Sequence, residues 1–196
     1  IAALWPYSDR QTTADNSMTL LDVGQGLSAV IQIGEHTLIY DTGYGEPGGF
    51  TQAEKVLLPY LADRDINRVD TLLISHADLD HSGGAPVLRE HLPIGRSLGF
   101  GGEPCRNGER WMWHSVEFLI INGPGQGEMD RNEGSCGLLI QTPGLSVLIP
   151  GDVSAARERQ WVRYWRDELE AAALELAEHG EGSASSEARL KWRSPQ

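Results

Sequence analysis

Two histidines and two aspartates fall within six consecutive residues, in the run His76-Ala77-Asp78-Leu79-Asp80-His81. Imidazole nitrogen and carboxylate oxygen presented together suit zinc, manganese or iron, whereas calcium prefers an all-oxygen shell. A polar loop that merely capped a helix, through Ser75 or Asp80, would need one such residue, and this loop has four. The chemistry expected of it is the clasping of divalent cations.

Such a loop needs a rigid support. The apolar run Thr71 to Ile74 reads as a short buried strand that delivers it, and Ser82-Gly83-Gly84 turns the chain into a helix over Ala85 to His91. Upstream, Met18 to Val23, Ser28 to Ile33 and His36 to Asp41 read as strands, the last two joined by a tight Gly34-Glu35 hairpin. Gln52 to Arg64 is expected to be helical, with Val56, Leu57, Tyr60 and Leu61 on one side. Downstream, Ser97 to Phe100 reads as a strand and Gly101 to Glu109 as a loop carrying Cys105. Arg110 to Ile121 makes one or two strands, in which Trp111 and Trp113 serve as packing. Gly123 to Gly134 is expected to be exposed, Cys136 to Gln141 and Ser146 to Pro150 form a hairpin, and Ala155 to Glu178 is helical. Gly43 to Gly48 satisfies G-x-G-x-x-G, but the strands before it read as a meander and Pro47-Gly48-Gly49 blocks a helix start. That stretch reads instead as a flexible loop over the site.

At 196 residues, with 40% hydrophobic and 22% charged residues, the chain is expected to form one domain over residues 18–196, preceded by a strap or linker remnant over 1–17. No run approaches the length of a membrane span, and no secretion signal opens the sequence. The net charge of −12 counts against tight, sequence-independent DNA binding.

The pattern His-x-Asp-x-Asp-His after an apolar strand resembles the metallo-β-lactamase superfamily, whose usual form is His-x-His-x-Asp-His. With aspartate in the second position it resembles, within that superfamily, the soluble metallohydrolase domains of ComEC-type competence proteins. Leu21-Asp22-Val23-Gly24-Gln25-Gly26, Tyr40-Asp41-Thr42-Gly43, Trp111-Met112-Trp113, Ser135-Cys136 and Pro150-Gly151-Asp152 carry the rest of the likeness, which runs from about residue 18 to about residue 190.

The resemblance implies an αββα sandwich of the α/β class and two divalent metal ions, manganese or zinc. By position, His76 and Asp78 would hold the first ion, and Asp80 and His81 the second. Asp152 would bridge them at a spacing of roughly 3.5–4 Å. Asp78 or Asp80 would serve catalysis by orienting the hydroxide. Asp41 is expected behind the metal loop, accepting hydrogen bonds; Asp22 and Gln25 either act similarly or form turns. Asn132 and Ser135 stand where the wider superfamily supplies another histidine, and are expected to line the pocket. The family's His-His-Gly-Ser segment is matched by Ala177-Glu178-His179-Gly180-Glu181-Gly182-Ser183, leaving His179 as a ligand and Glu178 as an oxygen donor that favours manganese. The sequence stops at Gln196 before the closing strands expected of the family, so either it is trimmed or altered, or the sandwich is incomplete at its C-terminus.

The implied function is a metal-dependent phosphodiesterase or nuclease that hydrolyses DNA, single strand or duplex, through metal-bound hydroxide during competence-related DNA uptake. Its partners would be transiently bound DNA and the membrane-channel portion of the same full-length protein. The domain would lie on the periplasmic or cell-surface side of an inner-membrane protein without itself inserting in the membrane. Two alternatives stay open: a hydrolase of a lactone, thioester or small phosphodiester, and a metal-poor scaffold or DNA-guiding domain. In an extracytoplasmic setting, Cys105 and Cys136, the only two cysteines, are expected to form a disulfide that stabilises by about 3 kcal/mol. His36, His91 and His114 lie outside every motif and read as surface or structural histidines.

Overall fold

The structure is a computed structural model in which residues 16–121, 132–142 and 144–163 are described. Strands β1 (Ser17–Leu20), β2 (Ala29–Ile33) and β3 (His36–Tyr40) form an antiparallel meander. Gly34, in the left-handed region at φ 58°, opens the two-residue turn between β2 and β3, as the glycine-first hairpin requires. Strands β4 (Val69–Ile74) and β5 (Ile94–Gly99) then add in parallel, giving the order β1-β2-β3-β4-β5. Parallel neighbours need crossovers. The first is a π-helical turn, Ala53–Leu57, running into α1 (Leu58–Asp63); the second holds α2 (Leu79–Ser82) and α3 (Ala85–His91).

A second, fully antiparallel sheet is built from β6 (Arg110–Trp113), β7 (Val116–Ile121), β8 (Gly137–Gln141) and β9 (Ser146–Ile149), followed by helical residues 155–163. Side-chain alternation sorts the strand residues into layers. Ile31, Leu38, Tyr40 and Leu73 face the other sheet, where they meet Val116, Phe118, Ile120, Leu138 and Ile140. The opposite face of the first sheet, Val30, Ile39, Leu72 and Ile74, packs under Leu57, Leu61 and Leu88. Leu119, Ile121 and Leu139 pack against Trp161 from the helical residues 155–163. The layers run helix, sheet, sheet, helix, as an αββα sandwich does.

The structure refines the sequence reading at several points. The helix expected over Gln52 to Arg64 begins as a π turn, closed by the Leu58 N–H bonding the Ala53 carbonyl. Pro59 has no N–H to continue an α-helical ladder there. Arg110 to Ile121, expected as one or two strands, is two, joined around His114-Ser115. The Gly43 to Gly48 loop is anchored: Gly43 and Gly45 are buried, and Gly45 bridges to Thr51, while residues 46–50 are exposed. Of Gly123 to Gly134, residues 132–134 are half-buried rather than exposed, and 123–131 lie outside the described residues.

Cys105 and Cys136 are joined by a disulfide, with Cα atoms 6.1 Å apart across 31 positions. It fastens the loop after β5 to the start of β8. The Cys136 N–H donates to the Ser75 carbonyl at 2.9 Å, and the Tyr40 hydroxyl to the Cys136 carbonyl at 2.8 Å. The second sheet is therefore tied directly to the strand ends that carry the histidine loop. Trp111 stacks on Phe118 and Trp113 meets it edge-on, so both tryptophans pack as expected.

Candidate metal centre

The parallel pairing of β3 and β4 places Tyr40 opposite Leu73, so the residues that follow both strands emerge side by side. Asp41 follows β3. Its N–H donates to the Leu73 carbonyl at 2.9 Å, and its backbone sits at φ 57°, a left-handed conformation that costs a non-glycine residue about 1–2 kcal/mol. That turn sends the carboxylate inward to meet Ser75 and His81. Asp41 Oδ1 accepts from the Ser75 N–H, and Oδ2 accepts from the Ser75 hydroxyl and His81 Nδ1, all at 2.7 Å. Ser75 Oγ is also 2.8 Å from His76 Nδ1. With its hydrogen directed at Asp41, that oxygen accepts a hydrogen bond from the His76 Nδ1–H.

One buried carboxylate thus sets both imidazoles, directly for His81 and through Ser75 for His76. In each ring Nδ1 is the donor, which leaves Nε2 as the nitrogen with a free lone pair. The two rings lie 4.3 Å apart. His76 and His81 are buried, 5% and 2% exposed, and His76 Nε2 has no hydrogen-bond partner. A buried polar nitrogen with no partner costs roughly 1–3 kcal/mol. Opposite the rings stands Asp152, whose Oδ1 lies 3.3 Å from His81 Nε2. Gly151, at φ 66°, makes the bend that brings it there, and the Asp152 N–H donates to Ser135 Oγ at 3.2 Å. The donor atoms of His76, His81 and Asp152 all lie within 4.8 Å of one another. Two imidazoles, one of them with an orphaned buried nitrogen, and a carboxylate fit a divalent transition metal or zinc.

Asp78 and Asp80 flank this group. Asp78 occupies the position before α2 without a side-chain capping bond, and its Oδ2 is 3.6 Å from His76 Nε2. Asp80 accepts from Gln25 Nε2 at 3.3 Å, which gives Gln25 a supporting role, whereas Asp22 accepts from the Gly24 N–H as a turn former does. Ser135 Oγ is 3.5 Å from His76 Nδ1, and Asn132 offers its carbonyl to the Ser135 N–H at 3.0 Å. His179 and Glu178 lie outside the described residues. Ser75 is the residue that the sequence reading misses, considering it only as a helix cap. Its one local signal is its place between the end of the apolar strand and His76.

Burial pushes the Asp41 carboxyl up, while His81 and Ser75 pull it back down; the net direction is upward. For His81, burial pulls the pKa down, but the hydrogen bond and charge of Asp41, with Asp152 and Asp80 beyond, outweigh it and raise the imidazole overall. The proton shared by this pair rests on the histidine, because three donors converge on the Asp41 carboxylate.

Residues 21–99 match the family model of the metallo-beta-lactamase superfamily. Over 93% of its length the chain is 31% identical to the uncharacterized protein YcaI of Escherichia coli (strain K12), covering 24% of that protein. Over 92% of its length it is 29% identical to the competence protein ComA of Neisseria gonorrhoeae, covering 26% of it. The chain therefore spans about a quarter of the length of these relatives. In fold it is similar to the Rm3 metallo-beta-lactamase, at a TM-score of 0.50 over 69% of this chain and 58% of that one, with 13% identity. The matched residues and the two-sheet sandwich give this chain the metallo-β-lactamase fold, with the superfamily's family model matched over residues 21–99.

Proposed function

We propose that this chain is a metallohydrolase domain that cleaves phosphodiester bonds of DNA in the service of DNA uptake. The observation that carries the reading is the buried, unpartnered His76 Nε2, facing the Asp152 carboxylate and His81 across a gap of metal-site dimensions. His76 and His81 would hold divalent cations through Nε2 and Asp152 through its carboxylate, with Asp78, Asp80 and His179 as further ligands. Manganese and zinc suit this mixed nitrogen and oxygen set. Bound cations of this kind lower the pKa of a coordinated water towards neutrality and offset the charge of phosphoryl oxygens. The chain's own part is to fix geometry. Asp41 and Ser75 hold both rings in one tautomer, Gly151 aims Asp152, and Asp78 or Asp80 orients the attacking water.

The substrate class is supported by the relative named as a competence protein. The chain's coverage of about a quarter of its relatives supports a domain working beside the membrane-channel portion of a longer inner-membrane protein. The disulfide supports a setting outside the cytoplasm, where such bonds persist. No helix among the described residues is long and apolar enough to cross a membrane.

Elemental analysis joined to a nuclease assay tests the proposal. DNA cleavage on addition of manganese or zinc, lost in Asp152→Ala, is the expected result. Cleavage of a thioester or lactone in place of DNA would change the substrate. A chain that takes up no metal would reduce the domain to a scaffold or DNA guide, a role that its net charge of −12 does little to favour by attraction.

A further inference from the structure

We infer that Glu35, His36 and His114 form a second divalent-cation site, of the zinc class, which clips the two sheets together at the far end of the sandwich. The inference does not depend on the proposed hydrolysis. Glu35 lies in the turn joining β2 and β3 of the first sheet and His36 begins β3; His114 belongs to the turn joining β6 and β7 in the second. Their carboxylate and imidazole donor atoms lie within 4.8 Å of one another.

The distances suit a shared ion. Glu35 Oε1 is 3.6 Å from His36 Nε2, and Glu35 Oε2 is 3.1 Å from His114 Nε2. Ligands of a tetrahedral zinc ion, each about 2.0–2.1 Å from the metal, stand about 3.3 Å apart. Both histidines offer the same nitrogen, and water can take the open fourth position. Behind His36, Nδ1 faces Asp70 Oδ2 at 3.6 Å. Asp70 is itself held by the Thr37 N–H at 3.0 Å and by Arg68 at 3.3 Å. A carboxylate behind a ligating imidazole fixes the ring and raises its basicity. The His36 ring also stacks on Trp113 of the second sheet, with centroids 4.9 Å apart.

The backbone at both turns accommodates the arrangement. His114 sits at φ 50°, the first position of a two-residue turn, where glycine is the unstrained choice. At Gly34 any Cβ would lie 2.6 Å from His114 Nε2, so glycine leaves the space that the ring occupies. His36 begins β3 and Asp41 follows its end, so five residues of strand, roughly 16 Å, separate this group from the buried one.

Zinc binding, measured by competition with a chromogenic chelator on the 196-residue chain, tests the inference. The double variant His76→Ala/Asp152→Ala lacks ligands of the buried group and should still bind one zinc ion. Adding Glu35→Gln or His114→Asn should weaken that binding at least about tenfold and abolish the zinc-dependent rise in melting temperature. Asparagine tolerates left-handed backbone and the Glu35 side chain is 72% exposed, so both substitutions spare the fold. If the double variant binds no zinc, or the added substitutions leave its affinity unchanged, the site does not exist. Should the double variant fail to fold, Glu35→Gln and His114→Asn in the parent chain decide the matter. Each should lower the zinc count by one, and an unchanged count overturns the inference.

Discussion

The two ends of β3 carry the same kinds of ligand in opposite surroundings. Beyond its C-terminal end, two buried histidines, His76 and His81, braced by the buried Asp41, meet the exposed carboxylate of Asp152. At its N-terminal end, Glu35, His36 and His114 converge in water, braced by the part-exposed Asp70. Donor spacing is alike, so spacing does not separate the two groups. Burial does. A low local dielectric strengthens each charge and makes an unpaired donor costly, which gives the covered group a strong demand for a cation and a fixed geometry. The exposed group shares its charges with solvent and salt, so its contribution is expected to be structural and weaker.

The sharpest way to break the comparison is to remove the brace. Asp41→Ala leaves the Ser75 N–H, the Ser75 hydroxyl and His81 Nδ1 buried without their acceptor. A loss of about 3–5 kcal/mol is expected in urea unfolding, with metal-dependent hydrolysis abolished. Asp41→Asn keeps the volume and should cost metal affinity about 10–100-fold. If Asp41→Asn binds metal as the parent does, burial alone would suffice and the brace would be incidental.

Reducing the disulfide should cost about 3 kcal/mol, or roughly 6–12 °C of melting temperature in a domain of this size. Because Cys136 hydrogen-bonds to Ser75 and Tyr40, the loss should weaken metal binding at the buried group more than at the exposed one. Thiol titration of the unfolded, non-reduced chain should find no free thiol, since all of its cysteine lies in the bond.

Proton competition separates the groups next. Zinc cannot bind a protonated His81 Nε2, and this imidazole is raised above its ordinary value. Metal affinity at the buried group should therefore fall as pH drops through the His81 pKa, at a higher pH than for an unperturbed imidazole. For the metal-free chain the sign reverses. A folded-state pKa raised above the unfolded one adds stability that is fully present below the unfolded value, and it is lost as pH rises through the folded one. Unfolding curves with and without zinc should diverge as pH increases; parallel curves would sink this assignment.

The smallest effect on stability is expected at the rim. Gln25→Ala removes the one bond from Gln25 to the Asp80 carboxylate and should change stability by no more than about 1 kcal/mol. Asp80→Ala should abolish metal-dependent activity while leaving the fold largely intact. Equal, slight effects from both substitutions would move Asp80 out of the site and leave His76, His81 and Asp152 as its core.

Much of this molecule is legible from local pattern. The apolar runs of β2, β7 and β8, the glycines that bound them, and the dense His76 to His81 loop announce themselves within a few residues, because hydrophobic runs and turn chemistry are local properties. The resemblance to the superfamily extends that reading to Asp41 and Asp152. What no local pattern carries is which strand ends meet. The parallel register of Tyr40 with Leu73 turns Asp41 and Ser75 into partners 34 positions apart. The packing of one sheet on the other brings His114 to Glu35 across 79 positions and makes Gly34 a space for a distant ring. Sequence determines what each segment can offer, whereas strand order and sheet packing decide which offers coincide, because burial and pairing depend on neighbours remote in the chain.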